Sequence, residues 1–397
     1  MPNNYANLGL NNQLQANSSL INQEPNFIDA ISDITRRGGL SYYTQKSPGR
    51  SIKAVVAKNP AAGAFNDVQA AINHVNNLGG GVVLFTTGTY AVGSNLQMYS
   101  NVFLQGEDAD TAVIDFGSAN IGILCVGTTN GTLSNIEISN LGITNSWAVG
   151  PNGAAVQVDY CNDISIASCR FQANGISNGT TYADIRAIGN SSRIYIQNNR
   201  FIQSSTTLFA GSVTDVFFTD NFIGSSWGYL INDKGTVTRT IIRNNIIVAA
   251  GTDADALIFL EGPGPRLTIE GNQFILPRVP SIIVGQSTGV LINNNIIDGN
   301  SNSGDGITVR DSSILCTITG NTILRCTAGT TSDGISIQAS NFNIISGNAI
   351  GSNSGYGINI GTGGTTNVVT GNVFKSNTVG SINDLGTTTV ISGNGGA

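Results

Sequence analysis

Apolar positions along this chain recur with a period far longer than the 3.6 of a helix or the 2 of a lone strand. From residue 196 onward, an apolar anchor is followed three residues later by asparagine nine times: Ile196/Asn199, Phe218/Asn221, Ile242/Asn245, Ile269/Asn272, Ile292/Asn295, Ile318/Asn321, Ile345/Asn348, Val369/Asn372 and Ile391/Asn394. Successive asparagines stand 22, 24, 27, 23, 26, 27, 24 and 22 residues apart. An interval that varies around a stable mean, with one residue type held in phase, predicts a solenoid whose coils differ in their loops. The residue ahead of each asparagine is Gly, Asn or Asp, types that tolerate a left-handed backbone. A sharp bend is expected after every anchor, turning the asparagine inward. Stacked coils would then set the carboxamides about 4.8 Å apart, within reach of one another.

A second strand recurs in the coils as Val156-Gln-Val, Leu230-Ile, Ile258-Phe-Leu, Ile307-Thr-Val, Ile335-Ser-Ile and Ile358-Asn-Ile. Two or three strands per coil around a Val/Ile/Leu/Phe interior is the predicted arrangement, and the period is too long for a left-handed hexapeptide solenoid. One helix is predicted ahead of the coils. Asn66 is read as its N-cap with Gln69 three residues on; Val68, Ala71, Ile72, Val75 and Leu78 share a face, and Gly79 ends it. Its apolar stripe suits a lid over the first coil, whose strand edges would otherwise be bare. The final coil, Val390-Ile-Ser-Gly-Asn394, is expected to be covered by a neighbour or partner for the same reason.

After the helix come Gly79-Gly80-Gly81, Val82-Val83-Leu84-Phe85 and Gly88-Thr89-Tyr90. Together with Asn66-Asp-Val-Gln-Ala-Ala-Ile72, these resemble the opening of right-handed parallel β-helix proteins of the pectate-lyase-like superfamily. That superfamily holds polysaccharide lyases, polygalacturonases and phage tailspikes, and the resemblance spans roughly residues 52–394. It implies an all-β fold, a right-handed parallel β-helix with an N-terminal capping helix and a mostly irregular N-terminal segment. A proline common before Gly-x-Tyr is replaced here by Thr87. Polygalacturonases of the superfamily carry Asp-Asp and Gly-His-Gly; this chain has neither, and its one histidine, His74, lies on the predicted helix. Three divisions follow: an N-terminal docking segment at 1–50, an opening strand and capping helix at 51–98, and the β-helix body at 99–397.

Composition fits a water-facing, turn-rich solenoid: 50 glycines, 11% charged residues and a net charge of −6. That charge argues against nucleic acid as partner. The charge is uneven, since residues 1–34 carry −3, the stretch from Arg36 to Lys58 carries six cations and no acid, and residues 59–397 carry −9. Residues 1–50 have only scattered apolars and are expected to order against the body or a partner. Met1-Pro-Asn-Asn-Tyr shows no secretory signal and no window is apolar enough to span a bilayer. The five cysteines form no Cys-x-x-Cys and are read as buried free thiols, with Cys169 at the ladder phase one coil before Asn199.

The residue before each anchor should face outward. From Glu137 these are Glu137, Ser165, Tyr195, Phe217, Ile241, Thr268, Leu291, Thr317, Ile344, Val368 and Val390, of which seven are apolar or aromatic. So greasy an outer face is expected to be covered, most simply in a parallel homotrimer, or else by a loop or the N-terminal segment. Candidate chemistry lies on the second strands. Aligned at their first inward residue, they place Asp159, Asp233, Glu261 and Arg310 at one phase. Asp233 and Glu261 would then be about 5 Å apart on adjacent coils, the separation retaining glycosidases use. Calcium between carboxylates is the other use of such a pair, although no metal motif is present. Turn-capping carboxylates are commoner than catalytic ones. Arg310 with Trp147, Tyr182, Trp227 and Tyr229 could hold and stack sugar rings; Asp253 and Asp255 read as a loop. Three readings remain: a phage tailspike-like virion protein that binds host surface polysaccharide, with or without depolymerase activity; a secreted polysaccharide lyase or hydrolase; and a non-enzymatic adhesive solenoid.

Overall fold

The structure is a computed structural model. It describes residues 51–58, 64–119, 122–146, 154–174, 183–203, 206–224, 231–234, 237–248, 256–262, 267–299, 304–327 and 331–396. The chain divides into two units, Met1–Ser51 and Ile52–Ala397, and the fold below is that of the second.

Three parallel sheets make up this unit, of fourteen, twelve and twelve strands. One coil runs Ser192–Gln197 in sheet 1, Arg200–Ile202 in sheet 2 and Thr206–Ala210 in sheet 3, then returns to sheet 1 at Thr214–Thr219. Each strand therefore pairs with its counterpart one coil away, which is a parallel β-helix. The anchors pair in register, Ile196 with Phe218 and Ile318 with Ile345, and nearly all are fully buried. The last, Ile391, is 44% exposed.

All nine residues ahead of the ladder asparagines have φ between 54° and 65°, from Asn198 to Gly393. That bend delivers each carboxamide to the interior. Asn199 Nδ2 donates to Asn221 Oδ1 at 3.1 Å, and the pattern repeats without a gap to Asn372 and Asn394 at 3.0 Å. Each Oδ1 also accepts the backbone N–H one coil earlier, and each Nδ2 also reaches a carbonyl of an anchor, as Asn272 does to Ile242 at 2.9 Å. Every polar atom of a buried amide is thereby used, which is what makes its burial tolerable.

The other two corners carry shorter ladders, Asn343 to Asn367 and Asn353 to Asn377. Three cysteines begin the ladders: the N–H groups of Cys169, Cys316 and Cys326 donate to Asn199, Asn343 and Asn353, each at 2.9 Å. All five cysteines are free and buried. Burial pushes the Cys169 thiol up to about 12 and those of Cys161 and Cys316 to about 11, so they pack as small apolar groups rather than react.

Helix α1, Val68–Asn77, covers the first coil with Val68, Ala71, Ile72 and Val75 buried. Its N-cap is Asp67, not Asn66, with Oδ1 accepting the Ala70 N–H at 2.7 Å. Gln69 is freed from capping and instead accepts the Gln97 N–H at 2.7 Å, tying the lid to sheet 3. Leu78 is exposed rather than part of the buried stripe, because the helix ends before its turn brings that side chain inward.

Candidate functional site

The three outer faces differ in chemistry. On sheet 1, the residues before the anchors form one continuous row from Glu137 to Val390, each paired with the next. Upstream, Tyr195 stacks on Phe217 at 4.9 Å, and ion pairs Arg193–Asp163 and Arg239–Asp215, both 2.8 Å, edge the row. Downstream the charges stop: the strands Leu291–Asn293, Thr317–Thr319, Ile344–Ser346, Val368–Thr370 and Val390–Ser392 contain none. Leu315 and Phe342 join this stretch at its edge, 56% and 52% exposed. Sheet 2 is mixed, with Asp110 between Arg170 and Arg200 at 3.1 and 3.4 Å and an Arg325–Asp298 pair beside exposed Phe222, Ile246, Ile296 and Val373.

Sheet 3 carries the sheltered polar groups. Thr308, Ser336, Asn359 and Asn383 form its outward row. At the start of its strands, Asp305 and Asp333 occupy equivalent places on adjacent coils. Asp305 Oδ1 accepts the Asp333 N–H at 2.8 Å and Oδ2 accepts the Thr308 hydroxyl at 3.1 Å. Asp333 repeats this one coil on, Oδ1 accepting the Tyr356 N–H and Oδ2 the Asn359 amide, both at 2.7 Å. Asn383 in turn donates to Asn359 Oδ1 at 2.9 Å, so a line of amide donors runs into the pair. Gly355 leaves the space that Asp333 fills, since a Cβ there would stand 2.3 Å from Asp333 Oδ1. Burial, with Asp333 adding to it, pushes the Asp305 carboxyl up to about 6; burial raises Asp333 as well. One carboxyl that is part-protonated near neutrality beside another is a pattern that acid–base chemistry uses.

The residues expected from sequence are placed differently. Asp233 and Glu261 are not at one phase: Asp233 pairs with Ala210 and Leu260, while Lys234 stands opposite Glu261. The alignment slipped by one residue, because the second strand has no invariant residue to fix its phase. Glu261 and Arg310 do share a row, through Gly285. Arg310 is held by Asp311 at 3.0 Å and lies over the Phe259 ring at 5.6 Å. Asp159 sits on the same sheet four coils upstream of Glu261, beside Arg186 on the next coil; burial raises its carboxyl and Arg186 opposes the rise. The side chain of Asp233, and all of Trp147, Tyr182, Trp227, Tyr229, Asp253 and Asp255, lie outside the described residues. Asp305 and Asp333 were not among the sequence candidates. Their signal was Gly304-Asp-Gly-Ile and Ser332-Asp-Gly-Ile, 28 residues apart, each directly ahead of a second strand.

Solved structures with this architecture define the class. The A-module of the mannuronan C-5 epimerase AlgE6 of Azotobacter vinelandii superposes with a TM-score of 0.71 at 17% identity, covering 84% of this chain and 97% of that one. The catalytic unit of a GH87 α-1,3-glucanase from Streptomyces thermodiastaticus gives 0.64 at 16%, covering 88% and 69%. The pre-mature gene product 12 of bacteriophage phi29 gives 0.59 at 14%, covering 82% and 54%. At such identities the likeness establishes the fold: this chain is a right-handed parallel β-helix, as the sequence resemblance implied. No curated protein matches it in sequence. A family described as periplasmic copper-binding protein (NosD) matches residues 258–388, a third of the chain. That span has no histidine or methionine, and its two cysteines are buried. Among the described residues no group of three or more His, Cys, Asp or Glu could hold a metal, and no helix is long and apolar enough to cross a membrane.

Proposed function

We propose that this chain is a phage tailspike-like virion protein that holds host cell-surface polysaccharide along the outer face of sheet 3. In this reading copies associate through sheet 1 as a parallel homotrimer, and residues 1–50 dock on the virion. The observation that carries it is the segregation of faces. One carries sheltered carboxylates and a polar row in which Thr308 and Ser336 are buried and the amides of Asn359 and Asn383 reach the surface, the chemistry that recognises sugar hydroxyls. Another presents five charge-free strands with exposed Leu, Phe, Ile and Val, a surface that water disfavours and an identical surface would cover. The neighbours support the same direction: one is a mannuronan C-5 epimerase module, one an α-1,3-glucanase and one a phage gene product.

A second reading, an extracellular polysaccharide-cleaving enzyme, is favoured by one observation, the raised Asp305 carboxyl next to Asp333. A single experiment separates the two. Native mass is measured by light scattering, and the length of bacterial surface polysaccharide is followed during incubation with the protein. A mass three times 41.1 kDa with glycan bound but uncut supports the adhesive tailspike. The same mass with shortening that is lost in Asp305→Asn supports a cleaving one. A monomer that shortens polysaccharide contradicts the virion reading.

A further inference from the structure

The corner that carries the asparagine ladder has two flanks, and they change character together. On sheet 1 the flank is the residue before each anchor; on sheet 2 it is the residue after each asparagine, so every coil contributes one residue to each. Both rows run in unbroken register over seven coils, from Phe217 to Val368 and from Phe222 to Val373. Phe217 shares its coil with Phe222, Ile241 with Ile246 and Leu291 with Ile296. Thr268 shares its coil with Gln273 and Thr317 with Thr322, so the polar coils coincide as well. The last two coils are again apolar on both flanks, Ile344 with Ala349 and Val368 with Val373. On sheet 2 this leaves Ile296 46% and Val373 58% exposed in the single chain.

Nothing within one chain requires two rows on different sheets to agree coil by coil, but cyclic symmetry does. In a closed ring of three, each copy meets its two neighbours through two different surfaces. When the solenoids run parallel to the ring axis, the sheet 1 flank of a coil faces the sheet 2 flank of the same coil on the next copy, apolar against apolar and polar against polar. Pairing sheet 1 with sheet 1 would leave the sheet 2 row in water. Between the flanks the crest of the corner is uncharged in the downstream coils, with Asn293, Thr319, Ser346 and Thr370 following the anchors, so copies can approach there without burying charge.

Charge sets the direction. The upstream coils bear Arg193–Asp163 and Arg239–Asp215 on sheet 1, and Asp110 with Arg170 and Arg200 on sheet 2. Sheet 1 strands from Leu291 onward bear no charge. Parallel copies set charged coils beside charged coils. Antiparallel copies would press Arg200 onto the charge-free end of sheet 1 and strip its water without return.

Resting on the homotrimer of the reading above, we infer that the sheet 1 flank of each copy packs on the sheet 2 flank of the next, coil against the same coil, with the ladder corner turned to the threefold axis.

The test is disulfide trapping in the full chain, whose five native cysteines are buried. Each variant is oxidised and run on a non-reducing denaturing gel, and its native mass is measured by light scattering under reducing conditions. Ile344→Cys/Ala349→Cys, one coil on both flanks, is expected to give covalent trimers, since a disulfide forms only between Cα atoms within about 7 Å. Ile344→Cys alone should run as monomer. So should Ile344→Cys/Ile246→Cys, whose sheet 2 site lies four coils away from Ala349. Covalent dimers from Ile344→Cys alone would set sheet 1 on sheet 1, and cross-links from the mismatched pair would reverse one copy. Either result overturns the inference, as does a trimeric native mass with no cross-link in any variant, and native mass decides separately whether the trimer stands. A monomeric wild type overturns both.

Discussion

Asp305 is the residue whose chemistry is most perturbed by its place in the coil. Its carboxyl lies at about 6, against an ordinary value of about 3.9. Between those two pH values the folded chain holds a proton that the unfolded chain has released. Stability from this group is therefore greatest below about pH 4 and falls as pH rises to about 6, with no further loss above. Asp305→Asn should flatten this dependence, so that the variant gains on wild type by on the order of 2 kcal/mol between pH 4 and pH 7, read from urea unfolding at both pH values. The ladder amides make the opposite prediction. Asn272 gives hydrogen bonds to Asn295 Oδ1 and the Ile242 carbonyl at 2.9 Å and accepts two from Asn245. Asn272→Ala strands all of these partners in the interior and should cost about 2–4 kcal/mol. Asn394→Ala, at the partly exposed end of the ladder, should cost clearly less in the same unfolding assay.

At the scale of elements, the coil was legible because one corner repeats one residue type nine times after an apolar anchor. The left-handed bend was legible with it, since Gly, Asn and Asp fill that place and no other type does. The two shorter ladders were not: each described one has two asparagines, and a pair makes no period. The helix was read in the right place, but Asn66 and Asp67 are adjacent and both able to cap, and only the backbone decides between them. The pairing of Asp233 with Glu261 failed for a related reason: the preceding loops differ in length, and nothing in the second strand marks its phase. Asp305 and Asp333 escaped notice because an Asp-Gly turn reads as ordinary punctuation until stacking brings two of them together. The downstream face of sheet 1 carries its own prediction. Phe342→Glu places a charge on a side chain already exposed in the single chain, so folding should be spared within about 0.5 kcal/mol. If the proposed trimer forms through this face, light scattering should nonetheless show the variant as monomer and wild type as trimer.

Over the whole molecule, one repeat supports three unlike surfaces because a coil's inward residues fix the fold and leave its outward residues free to vary by sheet. The interior is uniform, from Ile123 to Phe374. The proposed function accordingly rests on rows rather than on single residues: the charge-free row of sheet 1 for the proposed association, and the polar row of sheet 3 for the proposed glycan. Hydrogen exchange of the full chain, with and without a glycan it retains, tests that division most directly. Protection is predicted at the strands holding Thr308, Ser336, Asn359 and Asn383, with sheet 1 between Leu315 and Val390 unchanged by ligand. Protection that appears on sheet 1 and spares sheet 3 would contradict the account.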